Sequence, residues 1–147
     1  MDNNTDVILD VKNLCKEFPV ENGVFSSRYS SKVSAVQDVS FAIRRGETLG
    51  LVGESGCGKS TTARCIMRLQ ECTSGEVLFN GKDVSKLKGK SLKNYRREVQ
   101  YVFQDPYASL NPRMTINELI SEPLQIHGIM KDRAEREAYV RKLLEMV

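Results

Sequence analysis

The sequence has no tryptophan and a single histidine, His127. Its four cysteines, Cys15, Cys57, Cys65 and Cys72, form no C-x-x-C pair, and His127 stands far from all of them along the chain. That spacing argues against a Cys/His metal centre and fits reduced thiols in a cytosolic protein. No apolar run approaches the ~18 residues of a membrane-spanning helix. The first ten residues, MDNNTDVILD, are polar and acidic, without the basic start and apolar centre of a secretory signal. The chain is therefore expected to be made and kept in the cytosol, working at a membrane only through a partner. The net charge of +3 is small and spread, which gives little support to nucleic-acid binding. The most basic run, from Lys82 to Arg97, reads as a solvated helix face and loop.

What is present suits one domain, or a large part of one: 147 residues, 40% of them hydrophobic. Residues 7–18 read as a strand, and 35–47 alternate through Val36, Val39, Phe41 and Ile43, the period of a half-buried antiparallel strand. The Ser-rich segment between them reads as a loop. Two short apolar runs, TLGLVG (48–53) and VQYVFQ (99–104), read as strands, the first as one buried on both faces. Asn80-Gly81 predicts a hairpin over 75–84. Helices are expected over 60–70 and 91–99, from a T-x-x-E capping box at Thr115–Glu118, and from about Lys131. Pro123 should kink or end the third of these, and Gly128 should close it. On the last, Asp132–Arg136 and Glu137–Arg141 are spaced for ion pairs. Its apolar side is Ala134, Ala138, Leu143 and Leu144, with Val140 near the edge.

The stretch Gly53-Glu54-Ser55-Gly56-Cys57-Gly58-Lys59-Ser60 fits G-x-x-x-x-G-K-[ST], lying between an apolar run and a helix. Each part has a physical role. Glycines admit backbone turns closed to other residues, so that successive N–H groups point inward. The helix start adds free amides and the positive end of its dipole. Lys59 would reach the terminal phosphates, and the Ser60 hydroxyl would ligate Mg²⁺. Residues 53–61, through Thr61, are thus candidates for binding a nucleoside triphosphate. The loop alone does not choose ATP over GTP, or hydrolysis over binding. Cys57 is the one thiol whose oxidation or alkylation would block this pocket.

GESGCGKST at 53–61, followed by VFQDPYASLNPRMTI at 102–116, closely resembles the ATP-binding subunits of ABC transporters, in particular the oligopeptide and dipeptide importer branch. The resemblance runs along essentially the whole chain. It implies an α/β P-loop NTPase fold, an ABC-type nucleotide-binding domain that is incomplete. The parts expected are an antiparallel β-subdomain and part of the parallel-sheet core (1–105), then the start of the helical subdomain (106–147). It implies ATP and Mg²⁺ as ligands. Phe18 matches the aromatic position that stacks on adenine, with Phe25 and Tyr29 as nearby competitors. Gln104 matches the glutamine that meets Mg²⁺ and the γ-phosphate and couples them to the membrane subunits, so Lys59 and Gln104 are the catalytic candidates. The implied partners are transmembrane permease subunits, a second ATP-binding subunit and, indirectly, an extracytoplasmic substrate-binding protein. The implied place is the cytoplasmic face of the membrane.

The sequence departs from the family in lacking an L-S-G-G-Q signature, a later apolar strand ending in Asp-Glu, and a histidine beyond such a strand. It reads as the N-terminal half of a transporter ATPase, expected to bind nucleotide weakly, to hydrolyse negligibly alone, and to be aggregation-prone without a partner. The alternatives are a non-catalytic regulatory half-domain, or an ATPase serving a nickel importer.

Overall fold

The computed structural model describes residues 6–20, 32–105, 107 and 109–147. The competing aromatics Phe25 and Tyr29 lie outside the described residues. The chain divides into two compact units, Met1–Leu92 and Lys93–Val147.

In the first unit, β1 (Val7–Pro19), β2 (Lys32–Arg44), β3 (Ser74–Phe79) and β4 (Lys82–Asp83) form one sheet in the order β2-β1-β3-β4. Every pairing is antiparallel. The alternation of β2 is real, with Val39, Phe41 and Ile43 half-buried between exposed neighbours. Val36 and Val39 sit three apart because the register shifts there, and Asp38 takes a left-handed φ of 51°. The matching irregularity in β1 falls at Asn13 (φ 47°), whose side-chain amide donates to Asp38 Oδ1 at 2.7 Å. This shift lets both Val11 and Leu14 enter the core. The hairpin from β3 to β4 turns at Asn80 and Gly81, both at positive φ, as a two-residue hairpin of right twist requires. Helix α1 (Lys59–Ile66) touches β1 and β2 and buries Thr62 and Cys65. Val11, Leu14, Val36 and Val77 complete this core with Val84, from a single 3-10 turn (Val84–Lys86).

The two short apolar runs differ from expectation. Residues 48–53 and 99–103 belong to no strand. Val52 is 97% exposed and Val102 91% exposed, and Leu49, Leu51 and Phe103 are exposed as well. A strand buried on both faces needs a ladder partner for its N–H and C=O groups and a layer over each face. Among the described residues no strand pairs with either segment. An apolar run supplies the side chains of such a strand but not its neighbours.

Helix α2 (Gly89–Glu98) holds the division between the units and buries Tyr95. In the second unit α3 (Ile116–Ile126) packs on α4 (Arg133–Glu145). The capping box forms in both directions: Thr115 Oγ1 accepts from Glu118 N at 3.3 Å, and Glu118 Oε2 accepts from Thr115 N at 2.8 Å. Pro123 lies inside α3. It removes only its own N–H from the ladder, and its carbonyl still accepts from His127 N, so the helix runs on until Gly128 at φ +67°.

On α4 the expected pairs are not the ones formed. Asp132 caps the helix, accepting from Glu135 N at 2.9 Å. Arg136 donates to the carbonyls of Met130 and Lys131. The ion pair that forms is Arg133–Glu137 at 2.8 Å. Capping outcompetes an exposed ion pair here because the helix start has bare N–H groups to satisfy. Val140 is the buried residue of α4, whereas Leu144 is 45% exposed. Among the described residues no helix is long and apolar enough to cross a membrane.

Candidate functional site: the glycine loop

The loop from Gly53 to Gly58 delivers the chain into α1. Gly58 is the N-cap, at φ 96° and ψ 0°, and has no side chain with which to cap the helix. No acidic residue occupies the first turn. The amides at the start of α1 therefore meet neither a capping oxygen nor a neutralising carboxylate from the helix itself, the arrangement that suits an anion. Thr62 fastens the other side of this turn: its N–H donates to Gly58 O at 2.8 Å and its hydroxyl to the same oxygen at 3.0 Å. Thr62 is 4% exposed, so this anchor is dry.

A side chain at Gly58 would strike the backbone carbonyl of Ala35 on β2. The loop is thus pressed against the sheet at the one residue where no Cβ fits. Gly56, also at positive φ (84°), faces open space. A Cβ at Gly53 would meet only the Cys57 sulfur.

Lys59 curls back over its own loop. Its ammonium donates to Gly53 O at 2.7 Å and Glu54 O at 2.6 Å, and the Cys57 sulfur lies 3.4 Å away. The two carbonyls fix the head group inside the loop, and the sulfur contact is the weak third one. A phosphate oxygen could take that third place without breaking the other two. Beside the loop lies a cavity of about 440 Å³, bounded by Gly56, Cys57, Gly58, Lys59 and Thr62 on one side and by Ser34, Val36 and Val39 of β2 on the other. Among the described residues no Asp or Glu lines it.

The structure brings Gly53 to Thr61 into one turn, with Glu54, Ser55, Cys57 and Ser60 exposed and Thr61 half-buried. Phe18 stands at the end of β1, paired with Val33, and is not among the residues lining the Lys59 cavity. Its ring is covered by the Lys16 ammonium, 4.9 Å from the centroid. Gln104 belongs to the second unit, exposed in a bend directly after Phe103. Sequence reasoning missed Thr62 and the Ala35 carbonyl. Nothing in the string T-T-A distinguishes a buried loop anchor from an ordinary helix threonine, and a backbone contact leaves no trace in residue type.

Comparisons with known proteins agree with this geometry. The family described as ABC transporter matches residues 36–147. The oligopeptide transport ATP-binding protein OppF of Bacillus subtilis (strain 168) is 52% identical over 144 residues, covering 97% of this chain and 45% of that protein. The glutathione import ATP-binding protein GsiA of Escherichia coli (strain K12) is 49% identical over 142 residues, covering 95% of this chain and 22% of that protein. The chain therefore spans half the length, or less, of these curated relatives. An ATP-binding cassette solved as a dimer in a post-hydrolysis state with ADP and Pi superposes with a TM-score of 0.73 at 27% identity, over 94% of this chain and 56% of that one. The fold is accordingly a partial ABC nucleotide-binding domain, as the motifs imply.

Proposed function

The chain belongs to the ABC transporter family, and we propose that it is the nucleotide-binding part of an ATP-binding subunit serving a peptide importer. The observation that carries this is the hold on Lys59: its ammonium is fixed over the loop by Gly53 O and Glu54 O, beside helix amides without a capping side chain. That combination is an electropositive cradle shaped for a triphosphate. Gly53, Glu54, Ser55, Gly56, Cys57 and Gly58 supply the backbone, Lys59 the charge, and Ser60 and Thr61 the first hydroxyls of the helix.

Mg²⁺ fits this donor set. Magnesium keeps several waters and takes one or two protein oxygens beside the substrate phosphates. The exposed Ser60 hydroxyl next to Lys59 offers one such oxygen. When bound, the ion would neutralise phosphate charge. Phe18 is proposed to stack on adenine, which requires Lys16 to leave the ring face. Among the described residues no carboxylate lines the cavity to orient a water, and the activity proposed for the loop is nucleotide binding.

The names of the relatives, oligopeptide transport and glutathione import, support short peptides as cargo of the assembly. Permease subunits and a second ATP-binding subunit are the proposed partners, placing the chain at the cytoplasmic face of a membrane. Residues 106–147 are proposed to begin the helical subdomain that docks on the permease.

The test is calorimetric titration of this chain with Mg·ATP, alongside the Lys59→Ala variant. Losing a charge-assisted hydrogen bond should weaken binding by about 10- to 100-fold. Equal affinity of the two proteins would sink the proposal.

A further inference from the structure

The positive charge is not spread along the chain as expected: one strongly charged surface, with no role in the glycine loop, concentrates it. Between Lys82 and Arg97 there are seven cations and one anion, Asp83, so this run holds more positive charge than the chain's whole net charge of +3. All seven cations are exposed. Asp83 is taken by Lys86 at 2.9 Å. Among the described residues, no ion pair engages Lys90, Lys93, Arg96 or Arg97.

Helix α2 arranges four of these cations. Lys90, Lys93 and Arg97 recur at i, i+3 and i+7, which places them in one stripe along a 3.6-residue helix. Tyr95, the buried residue of α2, lies about 140–160° around the helix from them. The stripe therefore points away from the face that α2 buries, and Arg96 stands at its edge.

We propose that the α2 stripe is a docking surface for an anionic lipid bilayer. The chemistry of the stripe favours this partner over two others. Packed protein interfaces are depleted in lysine and centre on aromatic or apolar anchors, and the stripe has lysines with no exposed apolar residue among them. Single-stranded nucleic acid is held by basic grooves interleaved with stacking aromatics, and the one aromatic of α2 is buried. A fluid array of anionic headgroups needs neither anchors nor stacking planes, only long, unpaired cations on a free face. The inference is independent of nucleotide binding at the loop.

The test is co-sedimentation of this chain with vesicles of phosphatidylcholine alone or mixed with phosphatidylglycerol. Binding is expected only to the mixed vesicles, and at about 1 M salt, where the screening length shrinks to about 3 Å, it should vanish. Replacing Lys90, Lys93 and Arg97 by Gln should lower partitioning by about a hundredfold, roughly fivefold per cation. A control with Lys131, Arg141 and Lys142 changed to Gln removes the same charge from elsewhere and should change binding far less. Lys90→Arg with Lys93→Arg should bind as the parent does, and circular dichroism checks that each variant is folded. Equal loss in the control, equal binding to neutral vesicles, or displacement from vesicles by an equal charge of polyglutamate or oligonucleotide would overturn the proposal.

Discussion

Replacing Gly58 by alanine tests the claim that β2 clamps the glycine loop. Two separate costs arise at this residue. Its φ of 96° is a conformation that an L-residue adopts at about 1–2 kcal/mol. Its new Cβ would also overlap the backbone carbonyl of Ala35. That oxygen is main chain, held between the paired residues Ser34 and Val36 at a register shift of β2 against β1, and it cannot swing aside as a side-chain tip can. Overpacking of this kind costs about 1–3 kcal/mol. The sum is about 2–5 kcal/mol. Gly56→Ala is the matched control, since it carries a similar φ of 84° but meets nothing within 4 Å. It should lose about 1–2 kcal/mol. Gly53→Ala meets only the Cys57 sulfur, which a χ1 rotation can move, so it should cost less than Gly58→Ala. The assay is urea unfolding followed by far-ultraviolet circular dichroism, comparing midpoints at constant m. A Gly58→Ala variant no less stable than Gly56→Ala would refute the clamp, leaving conformational strain as the whole effect.

Three other outcomes are expected. Burial pushes the Tyr95 phenol up to about 12; an unfolded tyrosine ionises near pH 10, so the stability Tyr95 contributes is full below pH 10 and is lost as pH rises towards 12. Absorbance at alkaline pH should show one of the five tyrosines titrating late, and five that ionise together near 10 in the folded chain would contradict this. Thr115→Ala removes the α3 cap and should cost about 1 kcal/mol at neutral pH; the backbone and hydroxyl hydrogen bonds of Thr115 hold the Glu118 carboxyl below its ordinary range, so the penalty should shrink in acid as Glu118 protonates, and a pH-independent penalty would separate the cap from Glu118. Thiol titration should find Cys57 reacting first, because it is exposed, and Cys65 last, because it is buried and burial raises its thiol's pKa; early modification of Cys65 would mean that α1 opens easily.

These outcomes separate what the residues announce from what only their neighbours decide. The Asn80-Gly81 hairpin, the Thr115–Glu118 capping box and the G-x-x-x-x-G-K-S loop were legible because each is completed within a few residues. The turn needs two left-handed positions, the box needs one hydroxyl and one carboxylate, and the cradle needs glycines before a helix. Signals that depend on a distant partner were not legible. TLGLVG has the composition of a buried strand, yet a strand exists only where another lies beside it. The Val36-to-Val39 break in period looks like a flaw in β2 until the matching shift at Asn13 of β1 is seen. The candidate site mixes both kinds. Lys59 and Ser60 could be named from spacing, whereas Thr62 and the Ala35 carbonyl could not, because they act on Gly58 through its backbone. Gly58 is therefore constrained twice. The motif requires a glycine for the turn, and the sheet requires one for the fit. The first constraint is written in the motif, and the second only in the packing of α1 against β2.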